Sequence, residues 1–171
     1  PYSFVATVNA ISHLGAVPHF VDIQETTFSM CPNALDQQLE KTAFRKDGQV
    51  FNRESGRRIS AILPVHVFGI PADLNSLSRV AKNWGIPIVE DAAEALGSWI
   101  NFEGRKMHCG LKGDLGVISF NGNKLITTGG GGVLITNNNK LAQNAKHLST
   151  TAKINHPWEF DHDEIGWNDR M

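Results

Sequence analysis

Short apolar runs alternate with segments of helical period along most of this chain, and that alternation constrains its fold more than any other feature. His19–Ile23, Ala61–Val67, Ile86–Glu90, Val117–Phe120 and Gly132–Thr136 are short and bounded by Gly, Pro, Asp or Asn, and most are rich in Val and Ile, as strands are. Several are apolar nearly throughout, the pattern of strands covered on both faces. Between them, Leu74, Leu77, Val80, Ala81 and Trp84 recur at three- and four-residue steps behind Asp73, a fitting N-cap, and Gly85 closes the segment. Phe4–Leu14, Asn33–Thr42 and Lys140–Leu148 share the helical period, with Gly15 ending the first. Strands alternating with helices predict a layered α/β domain around a mainly parallel central sheet with helices on both faces. Ligands of such sheets gather beyond the carboxyl ends of the strands.

The rhythm has two interruptions. Phe44–Arg58 is polar and Gly-containing, and reads as an exposed loop or short hairpin. After Ser149 the α/β pattern stops, which divides the chain into a domain over 1–149 and an extended arm over 150–171. In that arm Trp158, Phe160 and Trp167 stand among charges and histidines and need a surface to pack on.

Composition narrows the function. The 171 residues suit one domain at about 150 residues per domain. With 16 Lys+Arg against 17 Asp+Glu, the net charge of −1 lacks the basic footprint of a nucleic-acid binder. No apolar run approaches the ~18 residues of a membrane-spanning helix, so no membrane partner is expected. Cys31 and Cys109 have no paired spacing and read as reduced thiols, which points to the cytoplasm. His66, His108, His156 and His162 form no chelating pattern, so no metal is expected. The chain opens at Pro1 and closes abruptly at Met171, as a piece of a longer protein does.

Two residues carry the chemistry. Taken alone, Asp91 at the mouth of the strand Ile86–Glu90 reads as an N-cap, and Lys124, four residues past the strand Val117–Phe120, as a solvated charge. Taken together, they sit at the same end of two strands and can converge on one crevice. An amine that condenses with an aldehyde and a carboxylate that keeps a pyridine nitrogen protonated are the two groups that pyridoxal phosphate chemistry requires. The Asn121-Gly122 turn allows the backbone to aim Lys124 back over the sheet. Gly129–Gly132 lacks the following Gly-Lys-Ser/Thr of a P-loop and reads as structural, allowing unusual backbone angles and close packing beside the lysine loop.

The run Val89-Glu90-Asp91-Ala92-Ala93-Glu94-Ala95-Leu96-Gly97, then Gly113-Asp114-Leu115-Gly116-Val117-Ile118-Ser119-Phe120-Asn121-Gly122-Asn123-Lys124, then Thr127-Thr128 and the four glycines, resembles the DegT/StrS family of sugar aminotransferases. The likeness extends across almost the whole chain. Pro64-Val65-His66-Val67-Phe68-Gly69, with Trp158-Glu159-Phe160 and the closing His162–Met171, is similar to its legionaminic-acid-pathway branch. The resemblance implies a fold-type I, pyridoxal 5'-phosphate-dependent aminotransferase. It would act on a nucleotide-linked 4-keto-6-deoxy hexose for cell-surface glycan synthesis, with glutamate as amino donor, as a homodimer. By motif, Lys124 would bond to the cofactor aldehyde, Asp91 would pair with the pyridine nitrogen and Ser119 would hydrogen-bond the phosphate. Phe4 would stack on the ring, Glu94 would take a cofactor-side position often held by Gln or His in relatives, and Asn168 would reach the phosphate of a neighbouring subunit. Relatives that dehydrate carry histidine in place of Lys124, so the lysine implies transamination.

Family members are longer. A phosphate-binding Gly-Thr segment would precede Pro1 and a smaller domain would follow Met171. A second reading is therefore a truncated, inactive folding or oligomerisation module derived from such an enzyme.

Overall fold

A computed structural model describes residues 2–169. Helix α1 (Val5–His13) starts after Phe4, whose backbone is extended, and buries none of its residues. Helix α2 (Pro32–Thr42) begins with proline in its first turn, where the missing N–H costs nothing, and buries Leu35 and Leu39. It runs into an antiparallel hairpin of β1 (Ala43–Lys46) and β2 (Gln49–Asn52). The turn residues Asp47 and Gly48 have φ of 51° and 72°, the left-handed pair that matches strand twist in a two-residue hairpin. The polar segment Phe44–Arg58 is thus a hairpin rather than an open loop, and Ala43 and Val50 fix it to the core.

Helix α3 (Leu74–Trp84) forms as its apolar spacing predicts. The Asp73 carboxylate accepts the Ser76 N–H at 3.0 Å, and Gly85 ends the helix at φ 71°. Leu74, Leu77, Val80 and Ala81 are buried in one cluster with Leu35, Leu39, Ile62, Ile86 and Ile88.

Next come β3 (Val89–Asp91), a hairpin of β4 (Trp99–Phe102) and β5 (Arg105–His108), β6 (Leu115–Ser119), β7 (Gly132–Ile135) and helix α4 (Asn139–Ser149). The central sheet has the order β3-β6-β7. Its β3 and β6 are parallel, and β7 closes the edge antiparallel. Single parallel bridges, Ile62 to Ile88 and Val65 to Asp91, extend the parallel side.

Two expected strands are reduced to such bridges, for identifiable reasons. In Ala61–Val67, Pro64 has no N–H to give; its carbonyl accepts the Asp91 N–H at 2.9 Å, and the chain then turns into a short 3-10 segment, Val67–Gly69. Pro87 likewise delays the start of β3 to Val89, and β3 runs on through Asp91. In His19–Ile23, Val21 is buried while Phe20 is exposed, and only Ile23 bridges, antiparallel to Met30. That run docks a side chain without joining a sheet.

Residues 150–169 double back on the end of α4. Thr150 bridges Asn168, Lys153 bridges His162, and the Trp167 N–H donates to the Leu148 carbonyl at 2.7 Å. Trp158 and Phe160 remain exposed. Among the described residues no helix is long and apolar enough to cross a membrane.

β6 approaches the loop after β5 so closely that a methyl group at Gly116 overlaps the Gly110 backbone. Gly116→Ala is expected to lower stability by about 1–3 kcal/mol, measured as a lower urea midpoint at unchanged slope.

Candidate active site at the ends of β3 and β6

Strand alternation sorts the side chains of the central sheet into two sets. Asp91 is in register with Val117, so Asp91, Val117 and Ser119 share one face. Glu90, Gly116 and Ile118 occupy the other, and they are buried. Because β3 and β6 are parallel, Asp91 and Ser119 both lie at the carboxyl edge of the sheet.

Asp91 is held from three sides. Its backbone N–H donates to Pro64 and its carbonyl accepts the His66 N–H, both at 2.9 Å. Its Oδ1 accepts the Ala93 N–H at 3.1 Å, and its Oδ2 accepts the Thr7 hydroxyl of α1 at 2.6 Å. A carboxylate offers about four lone-pair positions, so Asp91 keeps capacity for a further donor.

Lys124 lies in the loop between β6 and β7. The Phe120 carbonyl ties the base of this loop by accepting the Thr127 hydroxyl at 2.9 Å and the Thr128 N–H at 3.1 Å, while the Phe120 N–H donates to Gly131 at 2.9 Å. Gly129 and Gly131 take φ of 87° and 85°, and a Cβ at Gly132 would stand 2.7 Å from the Ile118 carbonyl oxygen. The structural reading is borne out at Gly129, Gly131 and Gly132, whereas Gly130 takes no left-handed angle and its position is open. Within the loop the Lys124 N–H donates to the Asn121 carbonyl at 2.9 Å, and Nζ reaches back to Glu94 Oε1 at 3.4 Å. The lysine side chain is 15% exposed and the glutamate 39%. The other oxygen of Glu94 accepts the Phe68 N–H at 2.9 Å, in a residue whose φ of 53° is rare for an aromatic.

The predicted residues therefore gather to different degrees. Lys124 and Glu94 touch, and Asp91 lies three residues before Glu94 on the same edge. Ser119 ends β6 on the Asp91 face, where its hydroxyl accepts the Asn121 N–H at 3.3 Å. Phe4 is 70% exposed at the start of α1, the helix whose Thr7 binds Asp91. Asn168 stands apart. It lines a groove of about 1260 Å³ with β7, α4 and Trp167.

Glu90 escaped the sequence reading. It is fully buried, and its carboxylate takes four donors: His66 Nε2 at 2.9 Å, and the N–H groups of Gly110 at 2.6 Å, Lys112 at 2.7 Å and Gly113 at 2.5 Å. His66 Nδ1 accepts the Ala72 N–H at 3.0 Å, which places the ring proton on Nε2. Burial pushes the Glu90 carboxyl up, but the His66 hydrogen bond and the Gly113 and Gly110 N–H groups outweigh it and hold the group below its ordinary value. The available signal was a charged residue inside an otherwise apolar strand. Cys109, buried beside this cluster, has its thiol pushed up to about 11 by burial and by the Glu90 charge, which leaves it an inert core residue. Among the described residues no group of three His, Cys, Asp or Glu is placed to hold a metal ion.

Comparison with known proteins matches residues 1–171 to the model of the DegT/DnrJ/EryC1/StrS aminotransferase family. EpsN of Bacillus subtilis (strain 168), provisionally described as a pyridoxal phosphate-dependent aminotransferase, is 35% identical over 99% of this chain and 40% of its own length. GDP-perosamine synthase of Escherichia coli O157:H7 is 34% identical over 99% of this chain and 41% of its own. Among solved structures, a DegT DnrJ EryC1 StrS aminotransferase from Brucella abortus superposes with a TM-score of 0.81 at 29% identity, covering 99% of this chain and 42% of that one. Helicobacter pylori PseC, an aminotransferase involved in the biosynthesis of pseudaminic acid, gives 0.78 at 25% identity, with coverage of 99% and 40%. The chain thus spans about 40% of the length of the relatives it matches.

Proposed function

Because the chain belongs to the DegT/DnrJ/EryC1/StrS aminotransferase family, we propose that it is the lysine-bearing part of a pyridoxal phosphate-dependent enzyme that moves an amino group from glutamate to a nucleotide-linked 4-keto-6-deoxy hexose. The acceptor belongs to the legionaminic-acid branch, the enzyme works in the cytoplasm as a homodimer, and its product feeds cell-surface glycan synthesis. The observation that carries this reading is the Lys124 amine, 15% exposed and 3.4 Å from Glu94 Oε1, whose residue lies three positions past Asp91 at the end of β3.

The donor set fits the cofactor. A flat pyridine ring bearing an aldehyde and a phosphate needs an amine, an acid at its nitrogen, a hydroxyl for the phosphate and an apolar face. Lys124, Asp91, Ser119 and Phe4 supply these in turn, with Asn168 serving the phosphate of a second subunit. When bound, pyridoxal phosphate supplies an electron sink for the substrate carbon. The Asp91 carboxylate at the edge of the sheet would face the ring nitrogen and favour its protonated form. Lys124 serves as the proton carrier at the substrate carbon. Its pair with Glu94 is long and partly exposed, so it yields the amine at little cost, as such pairs are worth about 0–1 kcal/mol.

The test is chemical trapping. The protein is incubated with pyridoxal phosphate, reduced with borohydride and mapped by mass spectrometry. A label on the Lys124 peptide is the expected result. A label confined to other lysines, or none, overturns the proposal.

A further inference from the structure

Helix α1 buries none of its residues fully, and only Thr7, Val8 and Ile11 are half-buried, so core packing alone fixes its position weakly. Its flanks are held by Tyr2, whose ring packs on Phe28 and Phe68, and by Arg57, which donates to the Gly15 carbonyl at 3.2 Å; the helix itself is tied to the sheet edge by Thr7. The Thr7 hydroxyl donates to Asp91 Oδ2 at 2.6 Å, bridging 84 positions of sequence. The backbone N–H of the same residue donates to the Phe4 carbonyl at 3.2 Å. The Ser3 hydroxyl stands 3.0 Å from Thr7 Oγ1 and 3.2 Å from the Phe4 carbonyl oxygen, ready to support either acceptor.

From this geometry we infer that Thr7 is a positioning residue that locks the aromatic Phe4 and the acid Asp91 into one register, so that both address the same flat cofactor ring. The inference rests on the pyridoxal phosphate reading above. Thr7 touches no reacting atom. Its effect is orientational: with Oδ1 bonded to the Ala93 N–H and Oδ2 to the Thr7 hydroxyl, the carboxylate plane of Asp91 is fixed from both ends. Without the hydroxyl, Asp91 regains rotation about its last torsion and α1 loses its tie to β3. The ring-stacking residue and the ring-charging residue would then lose the one direct side-chain link described between α1 and Asp91, and their relative orientation would loosen.

The substitution Thr7→Val keeps the branched shape and removes only the hydroxyl, while Thr7→Ser keeps the hydroxyl. With the aspartate carboxyl carbons labelled with ¹³C and Asp91 assigned through Asp91→Asn, the unliganded protein is compared in its wild-type, Thr7→Val and Thr7→Ser forms. Thr7→Val is expected to move the Asp91 resonance and Thr7→Ser to return it. Pyridoxal phosphate binding, followed by absorbance, is expected to weaken about tenfold or more in Thr7→Val, the loss that matches one hydrogen bond to a charged group, and to recover in Thr7→Ser. An unmoved resonance overturns the inference. So does a moved resonance with undiminished binding, which would make the bond merely structural. A wild-type protein that captures no cofactor on Lys124 sinks the functional reading and this inference with it, whereas capture that is indifferent to Thr7 sinks the inference alone.

Discussion

The Lys124→Arg protein is expected to keep its fold and to lose covalent capture of pyridoxal phosphate completely. Arginine preserves the positive charge opposite Glu94, so the variant separates electrostatics from nucleophilicity. The pair it replaces is partly exposed and 3.4 Å long, and disturbing it is expected to shift stability by less than about 1 kcal/mol. A guanidinium stays protonated at any accessible pH, so it neither condenses with an aldehyde nor relays a proton. In an assay of the complete enzyme, loss of the proton carrier alone is expected to lower turnover by about 10²–10⁴-fold. Borohydride trapping and a thermal melt, run side by side, check both halves of the expectation. Capture that survives in Lys124→Arg places the reactive amine elsewhere.

The largest effect on stability is expected from Glu90→Gln. Each Glu90 oxygen accepts from two donors, and an amide nitrogen in place of one oxygen would point its own hydrogens at N–H groups that have no other acceptor. Each buried N–H left without an acceptor in this way costs about 1–3 kcal/mol, and two of them are a large share of the stability of a domain this size. The pH dependence has a definite sign. In the unfolded chain a glutamate takes up its proton near about pH 4.3, whereas in the fold the hydrogen bonds from His66, Gly113 and Gly110 overcome the effect of burial and keep Glu90 charged to lower pH. Its contribution is therefore complete above about pH 4.3 and drains away as the pH falls below that value toward the folded-state midpoint. Urea unfolding across the acid range is expected to show this limb in the wild type and a flatter one in Glu90→Gln. Equal acid sensitivity in the two proteins would show that other carboxylates govern it.

The parts of the molecule that were legible in sequence are those whose cause is local. Helix α3 was visible because its cap, Asp73, its stop, Gly85, and its four buried residues all lie within one stretch. The paired placement of Asp91 and Lys124 after strands that proved parallel neighbours or led out of one followed from the α/β rhythm. What the sequence hid depends on distant partners. Ala61–Val67 has the composition of a strand, yet Pro64 breaks its ladder, and His19–Ile23 is left with a single bridge, from Ile23 to Met30. The donors around Glu90 come from residues 66, 110, 112 and 113, and the bond from Thr7 to Asp91 crosses most of the chain. No periodicity records either arrangement. Contact between Lys124 and Glu94 also depends on the backbone path of a loop, and the side-chain types alone leave that path open.

Glu90 and Asp91 are consecutive acids on one short strand, and the alternation of that strand sends them to opposite sides. Were β3 to slip by a single position, Asp91 would fall opposite Gly116 and Glu90 opposite Leu115, so both acids would change face. The shorter side chain would enter the pocket one methylene short of its donors, and the carboxyl edge would lose its acid. The one-carbon difference between the two acids therefore acts as a ruler for the pairing of β3 with β6: only the observed register satisfies the donors around Glu90 and leaves Asp91 on the face it shares with Ser119.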